Sequence, residues 1–169
     1  MIRTVLKYGA AELETKSRSI NQFDEETKTL AQDMLETMYA APGIGLAAPQ
    51  VGINLCLIVV DISGGEEQGH QIVLVNPEIR EQEGSQDGEE GCLSIPGFTA
   101  VVERPDRVVV TGQDLDGNSQ EKEAEGLLAR VLCHEVDHLG GILYLDRISV
   151  LKRDLIKRKI KKLIRAGEW

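Results

Sequence analysis

Of the three histidines in 169 residues, two stand four apart with a glutamate between them, in Leu132-Cys133-His134-Glu135-Val136-Asp137-His138. Four residues of α-helix turn the chain by about 400°, so His134 and His138 lie one above the other and can grip a single ion. Glu135 lies about 100° round from His134, within reach of a water beside that ion without being a ligand. This is the H-E-x-x-H pattern, and its chemistry is metal-assisted hydrolysis with the glutamate as general base. The bland alternative is a helix with two chance histidines and a salt-bridging glutamate.

A helix of this kind supplies two ligands, and a third must come from elsewhere. A metzincin-type extension would place a histidine where Tyr144 stands, and the only glutamate after His138 is Glu168. Cys92 is the better candidate, because Gly91 before it and Ser94-Ile95-Pro96 after it let a thiolate be presented from a loop or strand end. Cys133 points about 100° away from the ligand face and Cys56 lies in an apolar run, so both read as core filler. Three scattered cysteines make no disulfide framework. His70 sits in the polar loop Ser63–His70 and reads as solvated.

The elements that position these residues follow from periodicity. Leu30, Met34, Leu35 and Met38 repeat at helical spacing behind Asp24, a good N-cap, and Pro42-Gly43 ends that helix. Gly43-Ile44-Gly45-Leu46-Ala47-Ala48-Pro49-Gln50 has almost no side-chain bulk, which suits close approach of a ligand or another backbone. Residues 55–62 and 71–79 are Val- and Ile-rich strands, 81–90 reads as an acidic loop, and 101–103 and 108–114 are further strands. Asp116-Gly117 signals a hairpin turn. The apolar pattern of Leu127, Leu128, Val131 and Leu132 buries the helix over 126–139, and Gly140-Gly141 ends it. From Ser149 a last helix carries a stripe of Leu151, Leu155, Ile156, Ile160, Leu163 and Ile164, which is expected to dock on the body. The fold class expected is α+β: one domain over 1–169, antiparallel or mixed sheets around a buried central helix, and a C-terminal amphipathic helix over 149–165.

Composition narrows the partners. A chain that is 41% hydrophobic and 28% charged builds one core without staples. The net charge of −9 divides into +6 over residues 150–169 and −15 over the rest. Such a body repels nucleic acid, so no DNA partner is expected, while the basic helix is a partner-binding hint. No apolar run approaches the ~18 residues of a membrane span and no leader is visible, so a cytoplasmic location without membrane contact is expected.

Three separated segments, Gly43–Gln50, Glu90-Gly91-Cys92-Leu93-Ser94 and His134–His138, resemble the three signature motifs of peptide deformylase, in that family's order and at about its spacing. The last helix is similar to that of the bacterial type 1 enzymes. Two departures stand out. Cys133 replaces the family's usual Gln, and Gly9-Ala10-Ala11 replaces a Pro-Asp-Pro.

The resemblance implies a hydrolase that removes the formyl group from the N-terminal formylmethionine of nascent chains and releases formate. It implies Cys92, His134 and His138 as ligands of one divalent ion, Fe²⁺ foremost with Ni²⁺ or Zn²⁺ as substitutes. Glu135 is then the base, and the Gln50 amide with the Leu93 N–H donates to the developing oxyanion. Substrate would bind along Ile44, Gly45 and Gly91, its methionine in a pocket of Ile44, Leu127 and Val131. The resemblance also implies a supporting Glu90–Arg104 ion pair and docking of the basic helix on the ribosome. Two rivals are another metal-dependent amidase or peptidase on the same scaffold, and a non-catalytic binding protein. The second would be expected to lack Glu135, Gln50 or Cys92, all of which are present.

Overall fold

A computed structural model describes residues 1–169. Helix α1 (Glu25–Ala40) begins where the Asp24 carboxylate accepts from the Thr27 N–H at 3.1 Å, satisfying a donor that the first turn leaves unpaired. Five strands form an antiparallel sheet in the order β1 (Gly45–Ala47), β2 (Leu57–Val60), β3 (Ile72–Glu83), β6 (Arg107–Gln113), β7 (Ser119–Glu125). A separate antiparallel pair joins β4 (Gln86–Cys92) to β5 (Ile95–Arg104). Helix α2 (Gly126–Leu139) carries the two histidines and helix α3 (Val150–Arg165) follows.

The five-stranded sheet is covered on both faces, and its inner strand β2 shows why. In β2 all four residues are buried: Ile58 and Val60 pack with Leu132 and Ala129 of α2, whereas Leu57 and Val59 pack with Met34 and Met38 of α1. Successive side chains leave a strand on opposite faces, so an unbroken apolar run needs a layer on each side. A third cluster of Leu13, Ile95, Val102, Tyr144, Leu145 and Ile160 ties β5 to the segment after α2 and to α3. Helix α2 is thus held between the sheet and the β4–β5 hairpin.

Four expectations change. The acidic stretch 81–90 is mostly strand: β3 runs on to Glu83, Gly84 takes the turn at φ +68°, and β4 starts at Gln86. Its glutamates lie largely outward on edges, so the apolar alternation that marks a strand is missing. The strand expected over 101–103 spans Ile95–Arg104, and the one expected over 55–62 shortens to Leu57–Val60. The α3 stripe docks only in part: Ile160 is buried and Ile156 and Leu163 are half-covered, while Leu151, Leu155 and Ile164 are exposed. The body meets α3 along the single i, i+4, i+7 row 156–160–163, and the wider stripe overhangs it. No helix is long and apolar enough to cross a membrane.

Candidate active site

Helix α2 turns one face to a cavity of about 360 Å³ between the sheet edge at β1 and the β4–β5 hairpin. Ile44, Gly45, Gln50, Gly91, Cys92, Leu93, Leu127, Val131, His134 and Glu135 line it. His138 lies one turn deeper and is 1% exposed. Every residue assigned to the site from the sequence is therefore brought to one place. Leu127 is the outlying member, half-exposed at the rim.

The Cys92 thiol and the imidazoles of His134 and His138 offer donor atoms that all lie within 4.8 Å of one another. Cys92 Sγ is 3.4 Å from His138 Nε2. The two rings, 5.0 Å apart and edge to face, are stacked along the helix as i, i+4 residues must be. His134 Nδ1 donates to Glu90 Oε1 at 2.8 Å, which leaves Nε2 with its lone pair for an ion. His138 Nδ1 and Glu135 Oε2 are buried without any partner. One cysteine sulfur, two imidazoles and the unpartnered Glu135 oxygen fit a divalent cation and the water beside it, since buried polar groups are otherwise paired.

Electrostatics divides the site. Burial alone would raise the Glu90 carboxyl, but hydrogen bonds from His134 and Arg104 outweigh it and hold it at about 2. Arg104 meets Glu90 through Nε at 2.9 Å and Nη2 at 3.0 Å and reaches Asp137 through Nη1 at 2.6 Å. Arg130 Nη1 donates to Glu90 Oε2 and to the Val102 carbonyl, each at 2.8 Å. Arg147 in turn donates to Asp137 at 2.8 Å. Glu135 has no such company, and burial pushes its carboxyl up to about 7. Burial also holds His138 well below an ordinary histidine. For His134 the same burial is overcome by bonds to Cys92 and Glu90, which raise it, so a cation competes with a proton here.

The small residues have steric reasons. A Cβ on Gly45 would stand 2.6 Å from Glu135 Oε1 and 2.9 Å from Val131, so only glycine lets β1 cross above the carboxylate. Gln50 is buried, its Oε1 accepting from the Ala47 N–H at 2.9 Å. Its Nε2 is thereby aimed at Ser94 Oγ, 3.1 Å away, and at Cys92 Sγ, 3.6 Å away. Leu93 follows Cys92 in the turn and faces the same cavity.

The remaining readings can be placed too. His70 pairs with Glu67 at 2.8 Å in its exposed loop, Cys133 is buried with its thiol pushed up to about 11, and Cys56 packs against the core. Sequence reasoning passed over Arg130, Asp137, Ser94 and Tyr144. Arg130 had a signal: it stands four residues before His134 on the same helical face, where a buried cation demands a carboxylate opposite. Tyr144 had none, since its ring reaches His134, 6.3 Å between centroids, only through the tertiary fold.

Comparison with known proteins agrees with this geometry. The family described as polypeptide deformylase matches residues 2–154. A peptide deformylase of Acidobacterium capsulatum is 50% identical over 169 residues, covering 100% of this chain and 99% of the relative. One from Thermodesulfovibrio yellowstonii is 51% identical over 160 residues, covering 95% and 97%. The crystal structure of a peptide deformylase from Legionella pneumophila superposes with a TM-score of 0.91 at 44% identity, over 99% of this chain and 98% of that one. A structure from Synechococcus elongatus, solved in complex with actinonin, gives 0.86 at 41% identity over 96% and 86%. With a family match over residues 2–154, relatives about half identical over nearly the whole chain and a shared fold, the chain belongs to the polypeptide deformylase family.

Proposed function

We propose that Cys92, His134 and His138 hold one divalent cation and that Glu135 works beside it as the base that removes formyl groups from N-terminal formylmethionine. Members of this family are metal-dependent hydrolases with that activity. The supporting observation is the convergence of one thiol and two imidazoles next to a buried carboxylate that nothing pairs. When bound, the ion supplies positive charge to polarise the formyl carbonyl and to acidify water. Fe²⁺ is the metal proposed, with Ni²⁺ or Zn²⁺ replacing it in purified protein, because all three accept imidazole and thiolate.

The chain's own residues perform the remaining tasks. Glu135, with its proton affinity raised toward neutrality by burial, takes a proton from the attacking water and returns it to the departing amine. Gln50 Nε2, steered by the Ala47 N–H, and the Leu93 N–H donate to the oxyanion. Loss of one such donor costs about 10²–10³ in rate. The substrate backbone runs extended past Ile44-Gly45 and Gly91, where absent side chains let main chain approach main chain. Its methionine fills the apolar pocket of Ile44, Val131 and the rim residue Leu127. Recognition of backbone and one side chain suits an enzyme that accepts many nascent chains.

Helix α3 is proposed to dock on the ribosome. Its residues 150–169 carry eight of the chain's nineteen basic side chains, and Leu151, Leu155 and Ile164 stay uncovered among them. Ribosome co-sedimentation should weaken as salt rises and vanish without residues 150–169. Co-sedimentation unchanged by that deletion would rule docking out.

The activity test is formate release from formyl-Met-Ala-Ser beside the acetylated peptide. Strong preference for formyl is expected. Equal use of both would favour a general amidase instead.

A further inference from the structure

The far end of α3 and the mouth of the cavity meet at one indole. Trp169 Nε1 donates to the Tyr8 carbonyl at 2.9 Å. Its ring lies 6.2 Å from that of Phe98 at an interplanar angle of 54°, a tilted pairing that aromatic quadrupoles favour. The Lys7 ammonium stands 5.9 Å from the indole centroid. Trp169, Phe98, Tyr8, Ile156 and Cys92 all pack on the cluster that holds Ile160.

Both of the segments that Trp169 touches lead into the site. Phe98 lines the cavity beside Thr99, and its carbonyl accepts from the Tyr144 hydroxyl at 3.0 Å. The Tyr8 N–H donates to the Ser94 carbonyl at 2.8 Å, and the Ser94 hydroxyl accepts from Gln50. The hairpin ladder does not position Phe98. Its register jumps from Gly91↔Thr99 to Cys92↔Ile95, so Pro96, Gly97 and Phe98 fall in the shift between the paired residues. A half-buried ring on such an irregular, unpaired stretch of β5 takes its place from what it leans on, and it leans on Trp169.

We infer that Trp169 is a positioning residue for peptide binding: by bracing Phe98 it fixes the cavity wall that contacts substrate beyond the formylmethionine, joining the end of α3 to the enzyme's grip. This rests on the deformylase reading of the cavity. Trp169 does not touch the reacting atoms, so its loss acts on binding of longer peptides and spares the chemical step.

Two measurements test it. Trp169→Ala should raise KM for formyl-Met-Ala-Ser about three- to tenfold, the aromatic pairing energy expressed as a ratio, with kcat and the use of formyl-Met held within about twofold. Phe98→Ala should raise the same KM, and the double variant should be no worse than the weaker single one, because one contact is lost only once. Trp169→Phe, which keeps a ring but loses the bond to Tyr8, should fall between. Trp169 is also the only tryptophan in the chain, so its fluorescence reads this contact alone. In zinc-loaded protein, Met-Ala-Ser should shift its emission while free methionine should not. An unchanged KM, an equal loss on both substrates, a loss confined to kcat, or emission indifferent to the tripeptide would overturn the inference. Should Trp169→Ala fail to fold, the fluorescence titration of the unaltered protein decides. Wild-type protein that released no formate would instead sink the functional reading, and this inference with it.

Discussion

Two buried carboxylates face the same cavity from opposite walls, and their surroundings give them opposite characters. On the hairpin wall Glu90 is enclosed by Arg104, Arg130 and His134, and its carboxyl is held at about 2. On the helix wall Glu135 lies beneath Gly45 with one oxygen unpartnered, and its carboxyl rises to about 7. Burial pushes both the same way, so the difference comes from the partners. A carboxylate kept permanently ionised can orient a ligand, whereas one poised near neutrality can exchange protons.

The sharpest way to break this contrast is at the poised member. Glu135→Gln removes the proton carrier but keeps the shape, and kcat should fall by about 10²–10⁴ with metal content unchanged, measured by formate release and elemental analysis of the same sample. Gly45→Ala should act on the same group sterically: its Cβ meets Glu135 Oε1 and Val131, so kcat should drop although no charged group is altered.

Next comes the ionised member. Glu90→Gln should weaken metal binding about 10- to 100-fold, because His134 exchanges an ionised acceptor for a neutral amide oxygen and becomes a poorer ligand. It should also cost about 3–5 kcal/mol in stability, since Arg104 and Arg130 are left buried with less countercharge. Chelator competition and denaturant titration read the two effects separately.

The pH dependences follow with opposite signs. Glu90 is depressed from 4.5 to about 2, so its contribution to stability is complete above about pH 4.5 and is lost as pH falls through about 2. The part of the acid destabilisation that Glu90 carries should be absent from Glu90→Gln, read as a shallower loss of stability with falling pH. Glu135 must be ionised to accept a proton, so kcat should decline on the acid side with a limb at or below about pH 7, the bound cation drawing that carboxyl downward. The smallest effect is expected at Cys133, which is buried against the core. Cys133→Ala should cost about 1 kcal/mol in stability and leave metal content unaltered.

The same contrast shows what the sequence made legible. His134, Glu135 and His138 could be read because helical spacing is local and fixes their mutual placement. Cys92 could be reached because other donors were poorly placed, and α1 because its cap and apolar period agree. The Glu90 wall was harder. Its strand hides within an acidic run, since the outward glutamates of β3 and β4 erase the period-two signal. Arg130, embedded in an apolar helical stretch, gains meaning only opposite Glu90, forty residues away in the chain. The exposed half of the α3 stripe could not be foreseen either, because periodicity tells which residues share a face and not how much of it the body covers. Trp169 and Phe98 meet across the whole fold, with no local pattern to announce them.

The most direct test of the account is X-ray absorption at the zinc edge of zinc-loaded protein, with Cys92→Ser as its comparison. The account predicts one sulfur near 2.3 Å and nitrogen or oxygen neighbours near 2.0–2.1 Å, with the sulfur signal lost in Cys92→Ser. A shell without sulfur in the unaltered protein, or one that Cys92→Ser leaves unchanged, would contradict it.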